Sequence, residues 1–268
     1  MIDTFFHIFS FLIIIAIGAI FGSYATLFAY RLPRKESVFG RYFGKKSRCG
    51  NCQEILPTIA LVPLLNWIVT RGKCLNCHNK ISKIHLCVEL STTIMFLATF
   101  IVIPFGELWL LFILLGTCLV IISATDYSHK YFPDNILAFI ATLATLIHAL
   151  KYQNISDIVI NLLFAIVAIS ILYRIFVKKT LDNYFIIANI VKYSDRQFFS
   201  YIKLLLIIAI VFSPLIFASY LLCAIFLLSI TVIILNKKWQ KKLGANNSIS
   251  IAAFLNVLFY LILLINNS

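Results

Sequence analysis

Six residues carry most of the chemistry open to this chain: Cys49, Cys52, Cys74, Cys77, Asp126 and Asp182. The four cysteines form CGNC at 49–52 and CLNC at 74–77, with 21 residues between the pairs. One CxxC places two thiolates on a metal ion, and two such pairs complete a closed tetrahedral site. A closed site leaves no coordination position for water, so the spacing predicts a structural zinc that stabilises a loop with little core of its own. Disulfides or redox chemistry are the alternatives, and a cytoplasmic loop disfavours disulfides. His78 and His85 lie nearby and read as surface residues. Asp126, in ATDYSHKYFPD, and Asp182, in VKKTLDNYF, each stand at the water edge of an apolar run. Two carboxylates held close can share one proton, so that one activates a water as base while the other donates as acid. The plain alternative is that both are helix-boundary residues, since Asp is a good N-cap.

The elements that must position these residues are membrane helices. Hydrophobic residues make up 62% of the 268-residue chain and charged residues 12%, where soluble domains carry about 25% charged residues. The class this implies is an all-α polytopic membrane helical bundle with a small cytoplasmic zinc-binding loop domain. Eight spans are predicted, at 9–29, 88–104, 108–125, 135–150, 158–177, 199–214, 217–236 and 249–266, each near the length needed to cross a bilayer. The N-terminus reads as an uncleaved first span, because residues 1–8 hold no Lys or Arg and no small-residue cleavage site follows. The net charge of +13 does not point to nucleic acid, because the basic residues collect between apolar runs. Segment 31–87 holds eleven of the 23 basic residues and is therefore placed inside. That choice also puts 126–134, 178–198 and 237–248 inside, and with them both Asp126 and Asp182.

Three domains follow: 1–30 as the first span, 31–87 as the paired-CxxC module, and 88–268 as the remaining membrane domain. Residues 183–191 are apolar but too short to cross, and read as a re-entrant or interfacial helix. Glu89 is placed at the start of the second span, where the helix dipole favours an acid. Cys87, Cys118 and Cys223 lie in or beside apolar runs and read as small buried hydrophobes. Pro133 suits the start of the fourth span, and His129 and Lys130 read as lipid-surface contacts. No internal repeat is apparent.

Several segments together resemble the bacterial prepilin peptidase (type IV leader peptidase) family with its N-terminal paired-CxxC domain. GSYATLFAYRLP at 22–33 is similar to that family's GSFLNVVIYRLP-type signature. CGNC, LVPLLNW at 61–67, RGKCLNCHNKIS at 71–82 and VEL at 88–90 match its zinc-loop pattern in order and spacing. ATDYSHKYFPD at 124–134 resembles its first catalytic motif, and ISIAAFLN at 249–256 loosely resembles an IPFGPFLA pattern. The second motif departs: KTLD at 179–182 stands where the family has GxGD, with both glycines missing. DNYFIIANIVKYSDRQ still aligns along its length, and Asp195 is the alternative second aspartate.

The resemblance implies an aspartic peptidase of the bacterial inner membrane, with Asp126 and Asp182 catalytic and the active site facing the cytoplasm. It implies cleavage of the leader from prepilins or pseudopilins, N-methylation of the new N-terminus with S-adenosylmethionine, and work alongside type IV pilus or type II secretion machinery. The basic face would bind anionic lipid, and Glu36, Glu54 and Glu89 are candidates for leader recognition. A non-catalytic assembly factor descended from the peptidase is one alternative. A proton- or cation-coupled transporter is the other, and the paired CxxC loop and edge-placed acids speak against it.

Overall fold

The computed structural model describes residues 2–38, 46–129, 132–152, 155–173 and 195–211, with 216, 217, 220, 257, 258 and 262. Seven α-helices lie in this set: α1 (Ile2–Arg31), α2 (Leu65–Thr70), α3 (Lys83–Val102), α4 (Glu107–His129), α5 (Asp134–Lys151), α6 (Ile155–Tyr173) and α7 (Asp195–Val211). Four stretches, Ile8–Arg34, Lys83–Val102, Glu107–His129 and Asp134–Lys151, are long and apolar enough to cross a membrane. The chain is a helical membrane protein, and its described residues form no strand beyond two isolated bridges. The predicted spans 217–236 and 249–266, the 183–191 segment, Cys223 and Asp182 lie outside the described residues, apart from a few isolated positions of those spans.

The helices run past the apolar stretches that announced them. The span predicted from 88 starts at Lys83, where the Ser82 hydroxyl caps it by accepting the Ile84 N–H at 3.4 Å. The span predicted to end at 125 continues to His129. Hydropathy marks where hydrocarbon begins, whereas backbone hydrogen bonding persists into the polar boundary.

The chain forms two compact units, Met1–Pro133 and Asp134–Asn266. In the first, α1, α3 and α4 pack on one another, with the cysteine module inserted between α1 and α3. Gly18 and Gly22 make this packing possible. A Cβ on Gly22 would stand 2.7 Å from Glu89 Cα, and one on Gly18 would stand 3.0 Å from Thr93 Cα. This small-xxx-small spacing brings membrane helices into backbone contact, where burial of apolar surface supplies no drive because lipid is equally apolar. Ala25, Val88, Ile121 and Ala124 continue the seam. Hydroxyls along it turn back on their own helices: Thr92 donates to Val88 O, Thr93 to Glu89 O and Thr117 to Ile113 O.

Cys118 is buried as expected, but Cys87 is exposed. It lies on the outward face of α3 with Leu90, Ile94 and Ile101. Lipid-facing and core-facing positions are both apolar in such a helix, so composition alone does not separate them. In the second unit α7 packs on α5 and α6, and the buried Asn161 Nδ2 donates across to Ala209 O at 2.9 Å. An exposed ion pair, Lys203 to Asp134 at 2.9 Å, joins α7 to the start of α5 and contributes little in water.

Candidate metal centre and adjoining cavity

The two CxxC segments fold as copies of one ten-residue turn, 47–56 and 72–81. In each, the first cysteine's N–H donates to a carbonyl five residues on: Cys49 to Glu54 O and Cys74 to Asn79 O, both at 2.9 Å. In each, the residue four places after that cysteine donates back to it and takes positive φ: Gln53 (59°) and His78 (55°). The bridges Arg48–Ile55 and Lys73–Lys80 close the two turns at matching positions. The sequence reading found no repeat, and the structure corrects it. SRCGNCQEIL and GKCLNCHNKI share few side chains, because backbone hydrogen bonds specify most of the turn.

The copies face each other and bring all four Sγ atoms within 4.8 Å of one another, with Cys49 and Cys77 at 3.9 Å. A tetrahedron of metal–sulfur bonds of about 2.3 Å has edges of roughly 3.8 Å, so a small inward movement suffices to hold one metal ion. All four are free thiols. The N–H groups of Cys52 and then Asn51 point at the Cys49 sulfur and hold its thiol down at about 6. The Asn79 N–H, followed by the Asn51 side chain, lowers Cys77. Cys52 goes the other way: Glu54's N–H favours its thiolate, but desolvation and the neighbouring sulfurs push it up to about 11. Four crowded sulfurs without a cation distribute their protons unequally, and a divalent ion removes that conflict.

Beside the metal centre lies a cavity of about 720 Å³, bounded by the end of α1, both cysteine turns, α2 and the start of α3. Glu36, Glu54 and Glu89, scattered in sequence, all line it. Glu89 is not at a helix start as expected but well inside α3, half-buried, and the dipole argument for it falls away. Its Oε2 accepts the Leu64 N–H at 2.9 Å. Leu64 has φ 61° and ψ −47°, and Leu65 N–H reaches Pro63 O at 2.6 Å. This is the positive-φ γ-turn, which is rare and strained for a side-chain-bearing residue. Immediately after it, Asn66 Oδ1 and Trp67 Nε1 are buried atoms without a hydrogen-bond partner among the described residues, and both residues line the cavity. His85 is another lining residue and is half-buried, not on the surface. His78 is exposed as expected.

Asp126 belongs to the same end of the three-helix packing. It lies three residues before the end of α4, about 4.5 Å of helix rise inside it, and is 0% exposed. It is thus buried within the helix and is not a cap, because the helix continues for three more residues. Arg34, just past α1, brings Nη1 to 3.5 Å from His129 Nε2, so His129 meets protein and not only lipid. Arg31 is buried and donates to the carbonyls of Ser37 and Val38, fixing the chain's exit from the helix. Asp195 is the first residue of α7. The four cysteines are therefore brought together, and Asp126 and Glu89 both lie at the module's end of the bundle.

Residues 16–103, covering most of α1, the cysteine module and α3, match the family described as the Bacterial Peptidase A24 N-terminal domain. The chain is related to the prepilin leader peptidase family. It is 29% identical over 131 residues to an Escherichia coli protein named "Type 4 prepilin-like proteins leader peptide-processing enzyme", covering 44% of this chain and 49% of that one. It is 30% identical over 130 residues to the Vibrio cholerae "Prepilin leader peptidase/N-methyltransferase", covering 44% and 48%. A Bacillus subtilis protein of the same name is 30% identical over 129 residues, covering 47% and 50%. The matched stretch spans about half the length of these relatives. No solved structure matches the chain. Two of its features were open to sequence reasoning: the Gly18/Gly22 pair by its spacing, and the repeated turn by the parallel placement of Asn51 and Asn76 inside the two pairs.

Proposed function

We propose that this chain is an aspartic leader peptidase of the bacterial inner membrane, acting on prepilins or pseudopilins at the cytoplasmic face, and that it also N-methylates the new N-terminus. The observation that carries the reading is the burial of Asp126 at the end of the α1/α3/α4 packing that also bears the tetrathiolate module. A carboxylate fully enclosed one turn from a helix end is costly to keep unless it is used. The names of the relatives support both activities.

In this reading the dyad is Asp126 with Asp182. One carboxylate takes a proton from the attacking water while the other protonates the carbonyl oxygen of the scissile peptide, and the two then exchange roles as the amine leaves. The first unit holds α4, the helix that carries Asp126, against α1 and α3 through the Ala25/Val88/Ile121/Ala124 seam. The metal is zinc: four thiolates with no open position suit its closed structural geometry, and its work is to clamp the two cysteine turns together. S-adenosylmethionine would supply the methyl group. The proposed domain limits are 1–30, 31–87 and 88–268, and the machinery served is that of type IV pili or type II secretion.

The test is cleavage of a prepilin by membranes carrying wild type, Asp126→Asn, Asp182→Asn or Asp195→Asn. The proposal expects loss in the first two variants and activity in the third. Loss in Asp195→Asn but not Asp182→Asn would move the second aspartate. No cleavage by wild type, beside an active control peptidase, would favour the non-catalytic assembly factor.

A further inference from the structure

The cavity beside the metal centre has features that neither peptide hydrolysis nor metal binding uses. Its volume, about 720 Å³, is within the range of pockets that enclose a cofactor-sized molecule. Glu89 is half-buried at the α1/α3 seam and spends only one oxygen on Leu64; its Oε1 takes no bond from the described residues. Lys46, Arg48, Lys73 and Lys80 line the same cavity together with Glu36 and Glu54; all six are exposed and make a rim of net positive charge. Arg31, the buried cation nearby, donates to the Ser37 and Val38 carbonyls. A cavity with a recessed carboxylate and a basic rim suits a ligand with a cationic centre at one end and a carboxylate at the other.

We propose that this cavity is the methyl-donor site, with Glu89 facing the positively charged sulfur of an amino-acid methylsulfonium and the rim lysines and Arg48 receiving its carboxylate. The proposal rests on the methyltransferase part of the reading above. The positive charge exists only before transfer. When the methyl passes to an amine, an N–C bond forms, the S–C bond breaks, the sulfur departs as a neutral thioether, and the amine sheds one proton to water. A carboxylate at the sulfur therefore holds the charged donor and releases the neutral product. The strained Leu64 turn has a part in this: its N–H fixes one oxygen of Glu89 and so aims the other.

The two sources of a cation here, the donor's sulfonium and the acceptor's α-ammonium, separate experimentally. Purified full-length protein is titrated calorimetrically with S-adenosylmethionine, with its neutral product S-adenosylhomocysteine, and with a short apolar peptide bearing a free or an acetylated N-terminus. Wild type is expected to bind the sulfonium about tenfold more tightly than the thioether, and Glu89→Gln to reduce that preference to about twofold or less. Leu64→Gly in the Glu89→Gln background separates binding from support of the turn, since glycine takes positive φ without strain. The double variant should remain non-discriminating. Restored preference would show that Glu89 only props the turn, and would overturn the proposal. So would a Glu89→Gln protein that keeps the preference, a wild type that binds neither sulfur compound, or a variant whose lost discrimination concerns the free against the acetylated peptide. Cleavage by the same preparation judges the peptidase reading separately: donor binding without cleavage sinks that reading alone, and cleavage without donor binding sinks this one alone.

Discussion

Gly22→Ala tests the close backbone approach of α1 to α3. An added Cβ would stand 2.7 Å from Glu89 Cα and 3.1 Å from Glu89 O, where comfortable carbon–carbon contact begins at about 3.5 Å. The obstacle is helix backbone, so no rotamer change relieves it, and α1 and α3 must separate by nearly 1 Å at this level. Overpacking of this kind costs about 1–3 kcal/mol, and alanine's better helix propensity returns up to about 1 kcal/mol. The net expectation is a loss of about 1–2 kcal/mol, or roughly a 5- to 30-fold smaller folded-to-unfolded ratio. Gly18→Ala meets its neighbours at 3.0 Å and should cost less, and Gly106→Ala meets nothing within 4 Å and should be neutral. The assay is denaturant unfolding of the full chain in mixed micelles, followed by tryptophan fluorescence. The separation also draws Glu89 from Leu64, so Gly22→Ala should weaken whatever the cavity binds. If Gly22→Ala unfolds with the wild type, or if Gly18→Ala is the more damaging, the helix contact is not centred where described.

The paired turns predict matched behaviour. Gln53→Gly and His78→Gly should keep the metal and stabilise by up to about 1 kcal/mol, because both positions hold positive φ; valine at either should release it, and retention in the valine variants on metal analysis would refute the turn geometry. The metal centre should also be sensitive to acid. Cys49's thiol is held down at about 6, below its ordinary range, so the thiolate's contribution is complete above the unfolded value and is lost as pH falls through the folded one. The metal should therefore stay bound at neutral pH and pass to a colorimetric chelator in acid; release already complete at neutral pH would contradict the arrangement of donors around Cys49. Asn161→Ala removes one buried interhelical hydrogen bond to Ala209 and should cost about 1 kcal/mol in the same unfolding assay; a change near zero would show that the bond adds no net stability.

The sequence by itself determined the membrane class, the clustering of the four cysteines and the likeness to the prepilin peptidases. Each rests on a local signal: hydropathy over a span, two residues between paired cysteines, a run of motif residues in order. The positions of the helices followed as well, short by several residues wherever a helix outran its hydrocarbon. Only the tertiary structure decided which apolar face meets protein, as the exposed Cys87 and the buried Cys118 show, since lipid and core are equally apolar. It alone showed Asp126 to be fully buried, because burial depends on packing that the local sequence does not display. Glu36, Glu54 and Glu89 became neighbours of one cavity for the same reason. The repeated cysteine turn stayed hidden because its likeness is carried by main-chain hydrogen bonds, to which side-chain identity is nearly indifferent.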